Sequence, residues 1–119
     1  MTIHVLMILF LIILDQVSKY LFGFVQNTGA LFGLFSGQRI LLITLSFVIL
    51  GILIYYYPER KYRIGLNLLI AGTIGNLIDR IYFGYVRDFI DLTIWPVFNF
   101  ADVYVTVGVL YLIYILYKK

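Results

Sequence analysis

The chain has 119 residues, of which 63% are hydrophobic and only 13% are charged, and its mean hydropathy is +1.01. Soluble domains carry about a quarter charged residues, so this composition excludes an ordinary soluble protein and indicates a membrane protein. The net charge of +3 does not indicate nucleic-acid binding. The absence of cysteine excludes disulfides, thiol catalysis and thiolate metal sites.

Four segments are apolar and long enough to cross a hydrocarbon core, which requires about 20 residues in a helix. They are residues 3–22, 40–57, 64–83 and 98–117. The first segment lacks a positively charged start and carries Asp15 and Lys19 where a cleavage site would fall. We therefore expect a retained span rather than a secretory signal. No repeat or low-complexity tract divides the sequence, and we predict a single domain over residues 1–119.

Basic residues outside the spans predict the orientation, because short cytoplasmic loops retain lysine and arginine. They collect in the link at 58–63 (PERKYR) and in the final pair Lys118 and Lys119. We therefore predict cytoplasmic termini, with residues 23–39 and 84–97 on the outer side. Turn-forming residues at 26–30 and β-branched and aromatic residues at 85–95 predict short outer strands. The expected fold is an all-α membrane bundle of four transmembrane helices with a small extracytoplasmic β element.

Polar residues are concentrated towards the predicted outer ends of the spans, where an acidic side chain is costly and needs an explanation. Asp15 and Lys19 are one helical turn apart and can form an ion pair, which either shapes a site or snorkels to the interface. Asn76, Asp79 and Arg80 share a helical face. Asp79 and Arg80 could be a satisfied pair between helices, or Arg80 could orient a catalytic aspartate.

Asp88 and Asp102 are the candidates for chemistry, because a return of the chain between the third and fourth spans could place them face to face. Two facing carboxylates do not both ionise cheaply, so one keeps a proton while the other stays charged. Such a pair can activate water against a peptide carbonyl and protonate the leaving amine. It is equally compatible with proton or cation handling. No ligand spacing typical of zinc or iron accompanies the single His4, so we expect no metal.

Five motifs occur along the chain: DQVSK at 15–19, NTGALF at 27–32, GNLIDR at 75–80, VRDFID at 86–91 and FNFAD at 98–102. In this order they resemble lipoprotein signal peptidase (signal peptidase II), a family of bacterial membrane aspartic peptidases. The resemblance implies that Asp88 and Asp102 form the catalytic dyad. It implies dyad-supporting or substrate-binding roles for Asn27, Asn76, Arg80 and Asn99. It also implies more structural roles for Asp15, Lys19 and Asp79.

The resemblance further implies the substrate, a prolipoprotein signal peptide that is cut immediately before a cysteine bearing a diacylglyceryl group. It implies no cofactor, and a site towards the outer leaflet of the bacterial cytoplasmic membrane. We expect membrane lipids and this substrate as partners, no nucleic acid, and a monomer. Only seven residues separate Lys19 from Asn27, fewer than family members commonly carry, which bears on how the outer β element forms.

Two other classes of protein remain as alternatives. A small proton- or ion-conducting membrane protein could use Asp15, Asp79 and Asp102 as relay carboxylates, although the inner halves of the spans are nearly all apolar. A non-catalytic membrane scaffold would tolerate asparagine at Asp88 or Asp102.

Overall fold

The computed structural model describes residues 2–30 and 33–118, so Leu31 and Phe32 of the NTGALF motif lie outside the described residues. Within these ranges the chain forms the helices α1 (Thr2–Phe22), α2 (Arg39–Tyr56), α3 (Arg63–Tyr82) and α4 (Phe100–Tyr117). It also forms the strands β1 (Val25–Asn27) and β2 (Val86–Asp88), and a 3₁₀ turn over Arg60–Tyr62. All four helices are long and apolar enough to cross a membrane, which confirms the predicted helical membrane fold with a small β element.

The helix boundaries follow local chemistry. α2 ends at Tyr56, shortly before Pro58, whose ring cannot continue a helix. α4 begins at Phe100 rather than at the predicted residue 98, because Asn99 caps it. The Asn99 side chain accepts a hydrogen bond from the Asp102 backbone N–H at 2.9 Å, and the Asp102 side chain accepts one from the Asn99 N–H at 3.1 Å. This reciprocal capping box fixes the start of α4.

α3 is the central helix, and α1, α2 and α4 all pack against it. Glycines allow α4 to approach closely: a Cβ at Gly72 would lie 2.5 Å from the carbonyl oxygen of Ala101, and one at Gly108 would lie 3.0 Å from that of Gly65. Small residues at such helix contacts are typical of membrane proteins. The outer faces of α1, α2 and α4 expose large apolar side chains, as a lipid-facing surface requires.

The strands β1 and β2 pair antiparallel, with Val25 opposite Asp88. The predicted extended segment at 85–95 is confirmed only for residues 86–88, followed by an isolated bridge between Ile90 and Phe98. The prediction was wrong for 91–95. There the Asp91 side chain accepts a hydrogen bond from the Thr93 backbone N–H at 2.8 Å, which turns the chain instead of extending it.

A second buried polar cluster, which was not predicted, joins the helices at the end opposite to β1 and β2. Asn67 of α3 is fully buried. Its Oδ1 accepts a hydrogen bond from the Tyr57 hydroxyl at 2.7 Å, and its Nδ2 lies 2.8 Å from Nδ1 of His4. These bonds fasten the start of α1 and the end of α2 to α3.

Candidate active site

β2 and α4 bring Asp88 and Asp102 together at one end of the bundle. Asp88 is the last residue of β2, and Asp102 lies in the first turn of α4. The bridge between Ile90 and Phe98 closes the intervening loop, so that both carboxylates meet Asn99. Asn99 donates from Nδ2 to Asp88 Oδ1 at 2.8 Å and from its backbone nitrogen to Asp102 Oδ2 at 3.1 Å.

Two further asparagines complete the hydrogen bonding of the pair. Asn27 Nδ2 donates to the second oxygen of Asp88 at 3.2 Å, and Asn76 Nδ2 donates to the second oxygen of Asp102 at 3.0 Å. Asn76 Oδ1 in turn accepts a bond from Asn99 Nδ2 at 3.1 Å. Every oxygen of both carboxylates therefore accepts a hydrogen bond from an asparagine. Because amides do not titrate, these donors hold the carboxylates in place across the whole physiological pH range.

The surroundings of Asp88 favour its protonated form. Asp88 is only 2% exposed, and its burial, followed by the nearby charge of Asp102, raises the pKa of Asp88 to about 7. The hydrogen bonds from Asn27 and Asn99 and the charge of Lys19 act in the opposite direction, because they stabilise the anion. Asp88 can thus hold a proton near neutral pH, whereas an ordinary aspartate has lost it far below.

A buried ion network lies beneath the carboxylate pair. Lys19 Nζ is 2.7 Å from Asp15 Oδ2 and 3.5 Å from Asp79 Oδ2, and all three side chains are inaccessible to solvent. The predicted Asp15–Lys19 ion pair is confirmed, but the snorkelling alternative is wrong, since both side chains are buried inside the helix bundle. Lys19 also donates to Asn76 Oδ1 at 3.1 Å, which turns the Asn76 Nδ2 group towards Asp102.

Asp79 is held mainly by Arg87. Arg87 donates from Nη2 to one oxygen of Asp79 at 2.9 Å and from Nε to the other at 3.1 Å, and its backbone nitrogen adds a third bond at 3.0 Å. The suggested pair between Asp79 and Arg80 is therefore wrong, because β2 folds back over α3 and presents Arg87 instead. This clamp fixes β2 to α3 at the residue directly before Asp88.

Gln16 and Arg87 were missed from the sequence, although both lie within the quoted motifs. Gln16 Oε1 accepts a bond from Arg87 Nη2 at 2.7 Å, and Gln16 Nε2 donates to Asp79 Oδ1 at 3.1 Å. A signal was available for Gln16, which is a polar residue inside an apolar span.

Arg80 lies apart from the ion network and lines a cleft between α2, α3 and α4. The cleft has a volume of about 320 Å³, and Asn76 and Asp102 also line it. Within the part of the chain that the structure describes, the buried Nε of Arg80 has no hydrogen-bond partner. The Arg80 side chain also lines the cleft beside Asp102, and a guanidinium group in such a position suits a carbonyl oxygen of a bound molecule.

A second cleft, of about 240 Å³, is also lined by Asp102. Its walls are largely apolar and include Leu92, Trp95 and Val107. Asp102 therefore lines two clefts whose walls also carry apolar side chains. Either cleft can accept an apolar group of a bound molecule while a polar bond of that molecule lies near Asp102.

The structure brings the predicted site residues together. Asp15, Lys19, Asn27, Asn76, Asp79, Asp88, Asn99 and Asp102 are joined by hydrogen bonds and ion pairs, and Arg80 lines the adjoining cleft. Among residues 2–30 and 33–118, no group of three or more histidine, aspartate or glutamate side chains is arranged to hold a metal ion.

Fold and site together define a multi-pass membrane protein with a buried carboxylate pair at one end of its helices. A family model described as "Signal peptidase (SPase) II", peptidase family A8, matches residues 22–118. The chain therefore belongs to the signal peptidase II family and is a protease, which confirms the predicted family and enzyme class.

Individual relatives agree with this assignment. A lipoprotein signal peptidase from Halothermothrix orenii is 47% identical over 100 residues, covering 81% of this chain and 69% of the relative. A lipoprotein signal peptidase from Clostridium novyi is 34% identical over 145 aligned positions, covering 98% of each chain. A solved structure of a bacterial membrane enzyme superposes with a TM-score of 0.92 at 32% identity, covering 99% of this chain and 89% of that one.

Proposed function

We propose that this chain removes signal peptides from diacylglyceryl-modified prolipoproteins, cutting immediately before the lipidated cysteine, with Asp88 and Asp102 as its catalytic dyad. The proposal rests on the hydrogen bonding of the carboxylate pair, in which every oxygen is held by an asparagine. The raised pKa of Asp88, about 7, supports a proton retained by the pair near neutral pH. Because the two groups interact, they titrate as one system.

The chemistry follows from one proton and one charge on the pair. The charged carboxylate accepts a proton from a water molecule as the water oxygen attacks the scissile carbonyl carbon. The protonated carboxyl donates to the carbonyl oxygen, giving a neutral tetrahedral intermediate. The leaving nitrogen then receives the single proton of the pair, and the carbon–nitrogen bond breaks. As the intermediate collapses to the carboxylic acid product, one of its two hydroxyl groups returns its proton to the pair, which again holds a single proton.

The surroundings of the dyad fit a substrate with apolar parts and one reacting peptide bond. The guanidinium of Arg80 lines one cleft and can bind a substrate carbonyl, and the apolar residues of that cleft suit a hydrophobic signal segment. The second cleft, beside Leu92 and Trp95, suits acyl chains.

We propose that this end of the bundle faces the outer leaflet, that both termini are cytoplasmic, and that one chain suffices, since every residue of the network belongs to it.

A cleavage assay with purified protein and a diacylglyceryl-modified prolipoprotein tests the dyad. Removing the acid or base is expected to lower turnover by about 10²–10⁴-fold, so Asp88→Asn and Asp102→Asn should each be inactive. Asp91→Asn is the matched control, because Asp91 is exposed and, among residues 2–30 and 33–118, its side chain bonds only locally, to Thr93. Thermal unfolding in the same detergent checks that each variant remains folded.

Full activity of either folded dyad variant would overturn the assignment of the dyad. An inactive unaltered chain would instead favour the non-catalytic scaffold. If Asp91→Asn lost as much activity as Asp88→Asn, the loss could not be attributed to the carboxylate pair, because any change in the VRDFID motif would have the same effect.

A further inference from the structure

A largely apolar cleft lies at the end of the bundle opposite to the dyad. It has a volume of about 330 Å³ and is formed where α2 and α4 diverge over α3. Its walls are Leu53 and Tyr56 from α2, Tyr62 from the 3₁₀ turn, Leu66 from α3, and Leu112 and Leu116 from α4. Leu53 and Leu66 form its floor and are almost fully buried.

A recess of about 540 Å³ adjoins this cleft. The two spaces share Tyr56 and Tyr62, and the recess adds Lys61 and Glu59. The apolar cleft, called the slot below, thus ends at Tyr56 and Tyr62, and the cation Lys61 lies next to them. Tyrosine at such a boundary is typical of the level of lipid headgroups.

The charge at this end of the bundle is unbalanced. Arg60, Lys61, Arg63 and Lys118 face a single acidic residue, Glu59, and the described residues form no ion pair here. Arg63 is already bound to the backbone carbonyls of Tyr57 and Pro58.

Lys61 is the cation that lies on the recess. Its Nζ is 5.0 Å from the centre of the Tyr62 ring and makes no ion pair among the described residues. A cation beside an apolar slot is complementary to an anionic group that carries an acyl chain.

We propose that this cleft binds an anionic phospholipid, with one acyl chain between α2 and α4 and the phosphate at Lys61. The lipid would fill the gap that α2 and α4 leave over Leu53 and Leu66, and it would balance the excess of positive charge. This site is separate from the dyad, so its occupancy can be measured without any cleavage reaction.

Lipid retention by the full chain tests the proposal. The protein is purified in detergent micelles containing equal amounts of phosphatidylglycerol and phosphatidylcholine, and bound lipid is measured by native mass spectrometry. We expect retention of phosphatidylglycerol over phosphatidylcholine by about tenfold, and loss of that preference in Lys61→Glu. Lys118→Glu is the matched control: it makes the same charge change at the same end, but Lys118 lies over the Tyr114 ring outside the cleft.

A second variant tests the acyl-chain slot. Leu116 is 63% exposed, so Leu116→Trp should fold while narrowing the slot, and it should lower phosphatidylglycerol retention without changing any charge. Equal retention of the two lipids, an equal loss in Lys61→Glu and Lys118→Glu, or full retention in Leu116→Trp would each overturn the proposed site. Displacement of the lipid by inorganic phosphate at a concentration equal to that of the lipid would also overturn it, because the acyl chain would then add nothing to the affinity.

Discussion

At the scale of single residues, Asn99 links the fold to the chemistry. Its Oδ1 accepts from the Asp102 N–H and so starts α4, while its Nδ2 donates to Asp88. The same side chain therefore sets the position of one carboxylate through the helix start and that of the other through a direct bond. Asn76 plays a similar part on α3, since Lys19 orients its amide towards Asp102.

Asn27 offers a test of how the pair keeps its proton. Its Nδ2 donates to Asp88 and lowers the pKa of that carboxyl, so Asn27→Ala should raise the pKa of Asp88 above its present value of about 7. A carboxyl with a higher pKa stays protonated to higher pH. If activity requires the retained proton, the basic limb of kcat/KM should move upwards, by about half to one pH unit.

The measurement is kcat/KM from pH 5 to 9 for the unaltered chain and the variant. Gln26→Ala is the matched control, because the neighbouring Gln26 on β1 is exposed. A basic limb that stays fixed in Asn27→Ala, or moves to lower pH, would contradict the role of this amide.

The residues of the site could be predicted from the sequence more reliably than their partners. Polar side chains in apolar spans can be recognised from the sequence as candidate site residues. The Asp15–Lys19 pair follows from helical spacing. The partner of Asp79 could not be found in this way. Arg87 reaches Asp79 only because β2 pairs with β1 and folds back over α3, and that long-range pairing leaves no local signal.

At the scale of elements, the position of Asp102 depends on how closely α4 approaches α3. Gly72 of α3 touches the backbone of Ala101, the residue before Asp102. The hydropathy of the spans predicted that both helices exist and gave their bounds to within a few residues. Their closest contact depends on the register between them, which the sequence of either helix alone does not specify.

Gly72→Ala should displace the start of α4. The new Cβ would lie 2.5 Å from the Ala101 carbonyl oxygen, and backbone cannot move aside as a flexible side chain can. We expect kcat to fall at least about tenfold, since small misplacements of reacting groups are costly. Kinetics and thermal unfolding in detergent measure the two effects.

Gly51→Ala is the matched control in α2, where nothing lies within 4 Å of the added Cβ. Alanine favours helix over glycine by about 0.5–1 kcal/mol, so this variant should be as stable as the unaltered chain or slightly more stable, with unchanged kcat. Equal kcat in both variants would show that the dyad does not depend on the α3–α4 contact.

At the scale of the whole molecule, the two ends of the bundle differ in their chemistry. The carboxylate network, β1 and β2 lie at one end, and the basic residues Arg60, Lys61 and Arg63 lie at the other. α3 has 20 residues, so it is about 30 Å long, which matches the thickness of a hydrocarbon core. Its two ends are therefore far enough apart to lie at opposite membrane surfaces, and the positive-inside rule predicts that the basic end lies in the cytoplasm.

Labelling of single cysteines tests this orientation directly, because the chain contains no cysteine of its own. Ile94 follows β2 and is 92% exposed, and Arg60 is exposed at the basic end. In intact bacterial cells, a membrane-impermeant maleimide should modify Ile94→Cys and leave Arg60→Cys unmodified until the membrane is permeabilised. The unaltered chain, which should never react, is the control. The opposite pattern would place the dyad on the cytoplasmic side, where a lipoprotein precursor could not present its cleavage site after export, and the proposed substrate would have to be abandoned.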